Sequence, residues 1–172
     1  MDLAEFSEHD LLRLYSDVLE ELRSRGVLRS ANSPVGDYAE VLVCQALSLQ
    51  RAAPSKKGYD AEHRDGSRYE IKGRRFTGRS RPSHFSAIRD LPEQHFDWFV
   101  GVLFERDFSI RQAFRLPWDV IEEIAAHRSH VNGWIVTFKS CRDNLSRGRD
   151  ITKKLVKAQS KGISQIGEVQ RR

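Results

Sequence analysis

Cysteine is scarce in this chain of 172 residues: Cys44 and Cys141 are its only two. They lack the spacing of a zinc site and are too few for a disulfide framework, so they read as reduced thiols of a cytoplasmic protein. Long apolar runs are missing too. No stretch reaches the roughly 18 apolar residues of a membrane-spanning helix, so no membrane is expected among its partners. The opening residues, Met-Asp-Leu-Ala-Glu-Phe, carry acids where a secretion signal carries an apolar core. There is no internal repeat, glycine-rich phosphate loop, zinc-ligand cluster or nucleophile elbow. Phosphate-loop, zinc and elbow-serine chemistries therefore lose their usual signatures.

What is present is charge. Charged residues make up 31% of the chain and apolar ones 39%, which suits one globular domain with a real core. The net charge of +5 is unevenly spread. Residues 1–50 hold 4 basic and 9 acidic side chains, residues 51–89 hold 11 and 4, residues 90–141 hold 5 and 8, and residues 142–172 hold 9 and 3. Two basic segments alternate with two acidic ones. Such clustering points to a nucleic-acid backbone, although a solvated tail beside an unrelated loop would look the same.

Ser7 to Arg25 has the apolar spacing of an amphipathic helix, with Ser7 as its cap and Gly26 as its stop. Its apolar face would pack on the core or on a second subunit. Ser33-Pro34 opens a second helix through Leu47 that is apolar nearly all round and so buried. Glu40 shares its face with Val43, Cys44 and Leu47. A carboxylate there is costly unless it meets a metal or a neighbouring arginine. Asp37, one turn earlier, suits the helix start. Ser83 to Leu91 reads as a short helix, with His84 at its start as a structural or catalytic residue. Phe96 to Phe104 is a nearly unbroken apolar run, the mark of a strand covered on both faces. Ser109 to Leu116 is its expected partner. A helix from Trp118 to Ala126, an edge strand from Trp134 to Phe138 and a basic helix from Lys153 to Lys161 follow. The last ten residues are expected to be loose.

The stretch from Gly58 to Arg75 carries the chemistry. Asp65-Gly66 is a two-residue turn signal between extended runs, which predicts a β-hairpin. Glu70 and Lys72 lie two apart on its second arm and so share a face. Asp60 starts the first arm and can lie beside them. Two carboxylates and a lysine suit a hard divalent ion such as Mg2+, or Mn2+ in its place. Arg74 and Arg75 follow, and Lys57, Arg79 and Arg81 sit in basic links on either side, placed to grip phosphates.

Asp60 followed by Glu70-Ile71-Lys72 resembles the PD-(D/E)xK nuclease superfamily, the restriction-endonuclease-like group. The similarity runs from about Ser33 to Leu116. Tyr59 stands where the motif's name has proline, a position that varies widely in the group. The resemblance implies an α/β domain with a mixed central sheet flanked by helices. Residues 1–32 would then be an N-terminal helix and linker, 33–141 the core, and 142–172 a basic helix and tail. It also implies roles: Asp60 and Glu70 hold the metal, the Ile71 carbonyl is a backbone ligand, Glu40 is a third acid, and Lys72 positions or activates water. The expected activity is Mg2+-dependent hydrolysis of nucleic acid, DNA ahead of RNA, with a homodimer or a partner protein left open. Two rivals stand beside it. One is a nucleic-acid-binding module that does not cleave; the other is a set of surface ion pairs of little energetic weight.

Overall fold

The structure is a computed structural model that describes residues 2–30, 33–53, 58–78 and 82–162. Helix α1 (Glu8–Ser24) starts at Ser7, whose hydroxyl accepts from the Asp10 N–H. Helix α2 (Pro34–Leu47) has proline in its first turn, and Ser33 makes no side-chain capping bond. The strands are β1 (Gln50–Arg51), β2 (Ala61–Glu62), β3 (Arg68–Arg75), β4 (Trp98–Phe104) and β5 (Ile110–Pro117). Helix α3 (Trp118–Ile124) is followed by β6 (Ala126–Arg128) and β7 (Gly133–Ile135), then helix α4 (Phe138–Asp143). Strand β8 (Arg149–Asp150) and helix α5 (Thr152–Ser160) complete the fold. No helix among the described residues is long and apolar enough to cross a membrane.

The result is one α/β domain. Its mixed six-stranded sheet has the order β1-β2-β3-β4-β5-β8, in which only β3 and β4 run parallel. That central pair is buried on both faces, as the apolar run of β4 requires. On one face, Val100, Val102 and Phe104 pack with Tyr69 and Ile71 against Leu42 and Val43 of α2 and Leu155 of α5. On the other, Phe99 and Leu103 meet Phe85, Ile88, Phe114, Val120 and Phe138. Residues 149–160 are built into the body rather than appended: β8 extends the sheet and Leu155 is fully buried. Asp150 accepts from the Thr152 N–H at the start of α5, and the Thr152 hydroxyl accepts from Ala113 in the sheet.

Three expectations fail locally. The Asp65-Gly66 turn is not a two-residue loop: His63 to Ser67 form a five-residue connection closed by His63 N–H to Ser67 O, 2.8 Å. Residues 83–91 are not helical. Phe85, Ile88 and Leu91 are buried at intervals of three, which mimics a helix, but the backbone of Phe85 and Ile88 bonds to Val136 and Trp134 instead. Only Leu91–Glu93 forms a 3-10 turn. The strand expected from Trp134 to Phe138 stops at Ile135 and pairs with β6 in a separate hairpin, leaving Phe138 to open α4. The final ten residues lie outside those described.

Helix α2 rests on β3 at Gly73. A Cβ there would come within 2.6 Å of the Val35 carbonyl oxygen and 2.9 Å of Ala39 Cβ, so any side chain must push the helix away. Gly73→Ala should therefore lower stability by about 1–3 kcal/mol, read from chemical denaturation. Burial pushes both thiols, Cys44 and Cys141, up to about 12. At pH 8 a thiol reagent should label neither in the native protein and both once it is unfolded; rapid native labelling would contradict this burial.

Candidate functional site

The site lies at the N-terminal end of β2. This short strand pairs with β3 only at Arg68 and Tyr69, and among the described residues no strand flanks β3 on that side from Ile71 onward, while β4 continues along the other. Asp60, the residue before β2, fills the gap. Its backbone N–H bonds to the Tyr69 carbonyl, and its carboxylate accepts from the Ile71 N–H at 2.7 Å. In a strand, the N–H and carbonyl of one residue point to the same side. The Ile71 carbonyl therefore also faces the edge occupied by Asp60.

Tyr69 and Ile71 belong to the core beneath α2, so Glu70, Lys72 and Arg74 face the opposite side of the sheet. Glu70 is buried and binds Lys72 at 2.5 Å. Burial raises the Glu70 carboxyl above its usual range, and the negative charge of Asp60 adds to this against the pull of Lys72. For Lys72, burial works to lower the pKa, but Glu70 and Asp60, with Glu40 behind them, outweigh it, and the pKa is raised. Lys72 is thus an ammonium at neutral pH.

Glu40 approaches from the other face. Together with Asp60 it lines a cleft of about 380 Å³ whose walls include Asp37, Tyr59 and Arg29. Its carboxylate is not free: the guanidinium of Arg51 holds it at 2.8 Å and also reaches Asp37 at 3.2 Å and the Gly26 carbonyl. Burial still raises the Glu40 pKa, and Asp60 adds to the rise. Asp37 stands in the first turn of α2, as expected, and is also a buried fastener. It accepts from the N–H groups of Arg29 and Ser30 and fixes the chain that leads into α2.

The structure thus brings Asp60, Glu70, Lys72 and Glu40 within electrostatic reach of one another at the edge of β3. It separates Arg74 from Arg75. Arg74 shares the face of Glu70 and Lys72, whereas the Arg75 guanidinium lies 4.3 Å from the Phe108 ring centre and its side chain bonds the Arg106 carbonyl. His84 is engaged in a bridge with Thr137 and bonds Ser83. Lys57, Arg79 and Arg81 lie outside the described residues.

Among the described residues, no three Asp, Glu, His or Cys side chains gather into a ready cage for a metal. Magnesium seldom needs one: it is held by one or two carboxylates and completed by water and substrate oxygens. Asp60 and Glu70 with the Ile71 carbonyl supply hard oxygen donors of that kind. Four carboxylates, counting Asp37, face two well-buried cations, Arg51 and Lys72, and the more exposed Arg29 of the cleft wall, so acids still outnumber cations.

Two charged residues escaped the sequence reading. Arg51 reads as the start of a basic link, yet its side chain is only 7% exposed. The available signal was a pair of acids one turn apart on a buried helix, which demands a cation. Arg115 shares a sheet face with Val100, its guanidinium 3.8 Å from the Trp98 ring centre, and nothing in the sequence marks it. No family model matches the chain, and no curated protein does either.

Removing Arg51 should strand two acids. Arg51→Met is expected to cost about 3–5 kcal/mol of stability, because it leaves buried carboxylates uncompensated. Glu40 already has a raised pKa, and the loss of Arg51 raises it further. A raised folded-state pKa means stability is lost above it and regained as pH falls toward the unfolded value. The deficit of the variant should therefore shrink between pH 7 and pH 5, as measured by urea denaturation. Adding Glu40→Gln should recover part of the deficit at pH 7.

Proposed function

We propose that this protein is a metal-dependent nuclease with a restriction-endonuclease-like core, hydrolysing phosphodiester bonds of DNA. One observation carries the reading: Asp60, Glu70 and Lys72 meet at the open edge of β3 beside a cleft that Glu40 also lines. Asp60 and Glu70 would hold Mg2+ or Mn2+, with the Ile71 carbonyl as a third donor and Glu40 acting directly or through water. When bound, the ion lowers the pKa of its water and stabilises charge growing on the phosphoryl oxygens.

The chain's own groups divide the remaining work. Lys72, already protonated, is a donor: it orients the attacking water and offsets phosphate charge rather than taking a proton. Arg74, on the same face, binds a flanking phosphate. Lys57, Arg79 and Arg81 in the basic links, with the exposed Lys153, Lys154 and Lys157 of α5, extend the grip along the backbone. Arg75 would reach a phosphate from the opposite face, where its guanidinium stacks on Phe108.

A second reading has an observation of its own. Glu70 is already paired with Lys72, and Glu40 with Arg51, so these acids have partners without any ion. A nucleic-acid-binding module that does not cleave would look like this.

Cleavage of labelled DNA in magnesium, set beside affinity in chelator, separates the two readings. Lys72→Ala should slow cleavage at least about a hundredfold, while much of the DNA affinity remains. Asp60→Asn keeps an acceptor for the Ile71 N–H, so it tests the charge rather than the fold. It should abolish metal-dependent cleavage and leave metal-free binding equal or tighter, because a negative charge near the phosphate is gone. Binding should weaken steeply as salt rises. If the wild type binds DNA but cuts no substrate in Mg2+ or Mn2+, the binding module takes over. If Lys72→Ala cuts at the wild-type rate, the lysine has no catalytic role.

A further inference from the structure

Helix α1 is the longest helix among the described residues, and neither core uses it. It contributes no buried residue, and none of its apolar side chains joins either cluster among the described residues. Leu12, Tyr15 and Val18 are 67%, 59% and 48% exposed. Yet Leu11, Tyr15, Val18 and Leu22 recur in steps of four, three and four, the seam of a two-stranded coiled coil, with Leu14 and Leu19 on its flanks. A helix about 25 Å long is marginal in water unless its apolar face is covered.

We propose that α1 pairs antiparallel with α1 of a second copy of this chain. Place a two-fold axis between Ser16 and Asp17, and the seam maps onto itself. Leu11 comes level with Leu22 of the second copy, Tyr15 with Val18, and Leu14 with Leu19. Every apolar position of the seam meets an apolar position, as a self-complementary two-fold interface requires.

The charges select the direction. The first turn of α1 carries Glu8 and Asp10, and its end carries Arg23, with Arg25 just beyond. Reversal sets the acidic end of each helix against the basic end of the other, twice over. A parallel pair would set acid against acid and base against base. Arg23 and Arg25 also hold Glu20 and Glu21 of their own helix, at 3.0 and 2.6 Å. Those pairs are exposed, where such links are weak and readily shared. This pairing does not depend on the activity proposed above.

The test is the mass of the full-length protein by sedimentation or light scattering, from micromolar to hundreds of micromolar. The wild type should approach twice its 19.8 kDa chain mass as concentration rises. Val18→Glu, at the centre of the seam and outside both cores, should hold the protein at monomer mass with an unchanged circular dichroism spectrum. Arg23→Glu with Arg25→Glu should weaken the dimer by about tenfold or more. Adding Glu8→Arg and Asp10→Arg should restore it, most clearly at low salt. A wild type that remains monomeric throughout overturns the proposal, whether or not another protein binds the helix. So does a dimer insensitive to Val18→Glu, or a charge reversal that the second reversal does not rescue.

Discussion

Four carboxylates share one edge of the sheet with two buried cations, and the local fold is arranged around that imbalance. Taking a carboxylate from water is expensive unless hydrogen bonds and opposite charge replace what is lost. Asp37 is met by two backbone N–H groups and Arg51, Asp60 by the Ile71 N–H, Glu70 by Lys72 and Glu40 by Arg51. Each acid has a partner, yet the set as a whole stays negative. Burial raises both Glu40 and Glu70, so the cluster resists full ionisation by itself. An added positive charge would relieve it, and that electrostatic argument is the basis on which the edge of β3 is proposed as a site.

The backbone prepares this edge by stopping early. Had β2 run the length of β3, the Ile71 N–H and carbonyl would have been consumed by a strand partner. Its two-residue length leaves them to the Asp60 carboxylate and to the cleft. Gly73 performs the matching task for the helix. Because it has no side chain, α2 can settle low on β3, which brings Asp37 and Glu40 within reach of Arg51 in β1. A larger residue at this position would lift the helix and pull the acids out of register with Asp60. Packing and electrostatics are therefore set by the same few contacts.

Elements with strong periodic patterns were legible in the sequence. The amphipathic α1, the all-round apolar α2 and the two-face-buried β4 stand within a residue or two of their expected bounds. So were the placement of Asp60 beside β3 and the shared face of Glu70 and Lys72, because strand alternation and hairpin pairing are short-range rules. What was not legible depended on distant partners. Residues 83–91 place Phe85, Ile88 and Leu91 three apart, and periodicity cannot distinguish a helix from an extended crossover whose hydrogen bonds end on Trp134 and Val136. The same dependence hid Arg51. A single arginine in a basic link carries no local sign that it will be drawn into a core by acids on a helix eleven and fourteen residues earlier.

The charge state of Lys72 constrains the chemistry more tightly than its position does. A lysine in an apolar pocket loses its proton easily and can serve as a base. Here desolvation acts in that direction, but the carboxylates of Glu70, Asp60 and Glu40 overcome it. The proton therefore stays on the lysine, and its lone pair is unavailable to an attacking water. In the proposed reaction, proton removal would then fall to a group that can accept one, and burial has increased the proton affinity of the Glu70 and Glu40 carboxyls. Glu70 is tied to Lys72 at 2.5 Å and Glu40 to Arg51 at 2.8 Å, but of the two it is Glu40 that lines the cleft with Asp60. Within the proposed reaction, then, Lys72 supplies charge and orientation, and Glu40 is the better placed of the two carboxylates to receive the proton of the water.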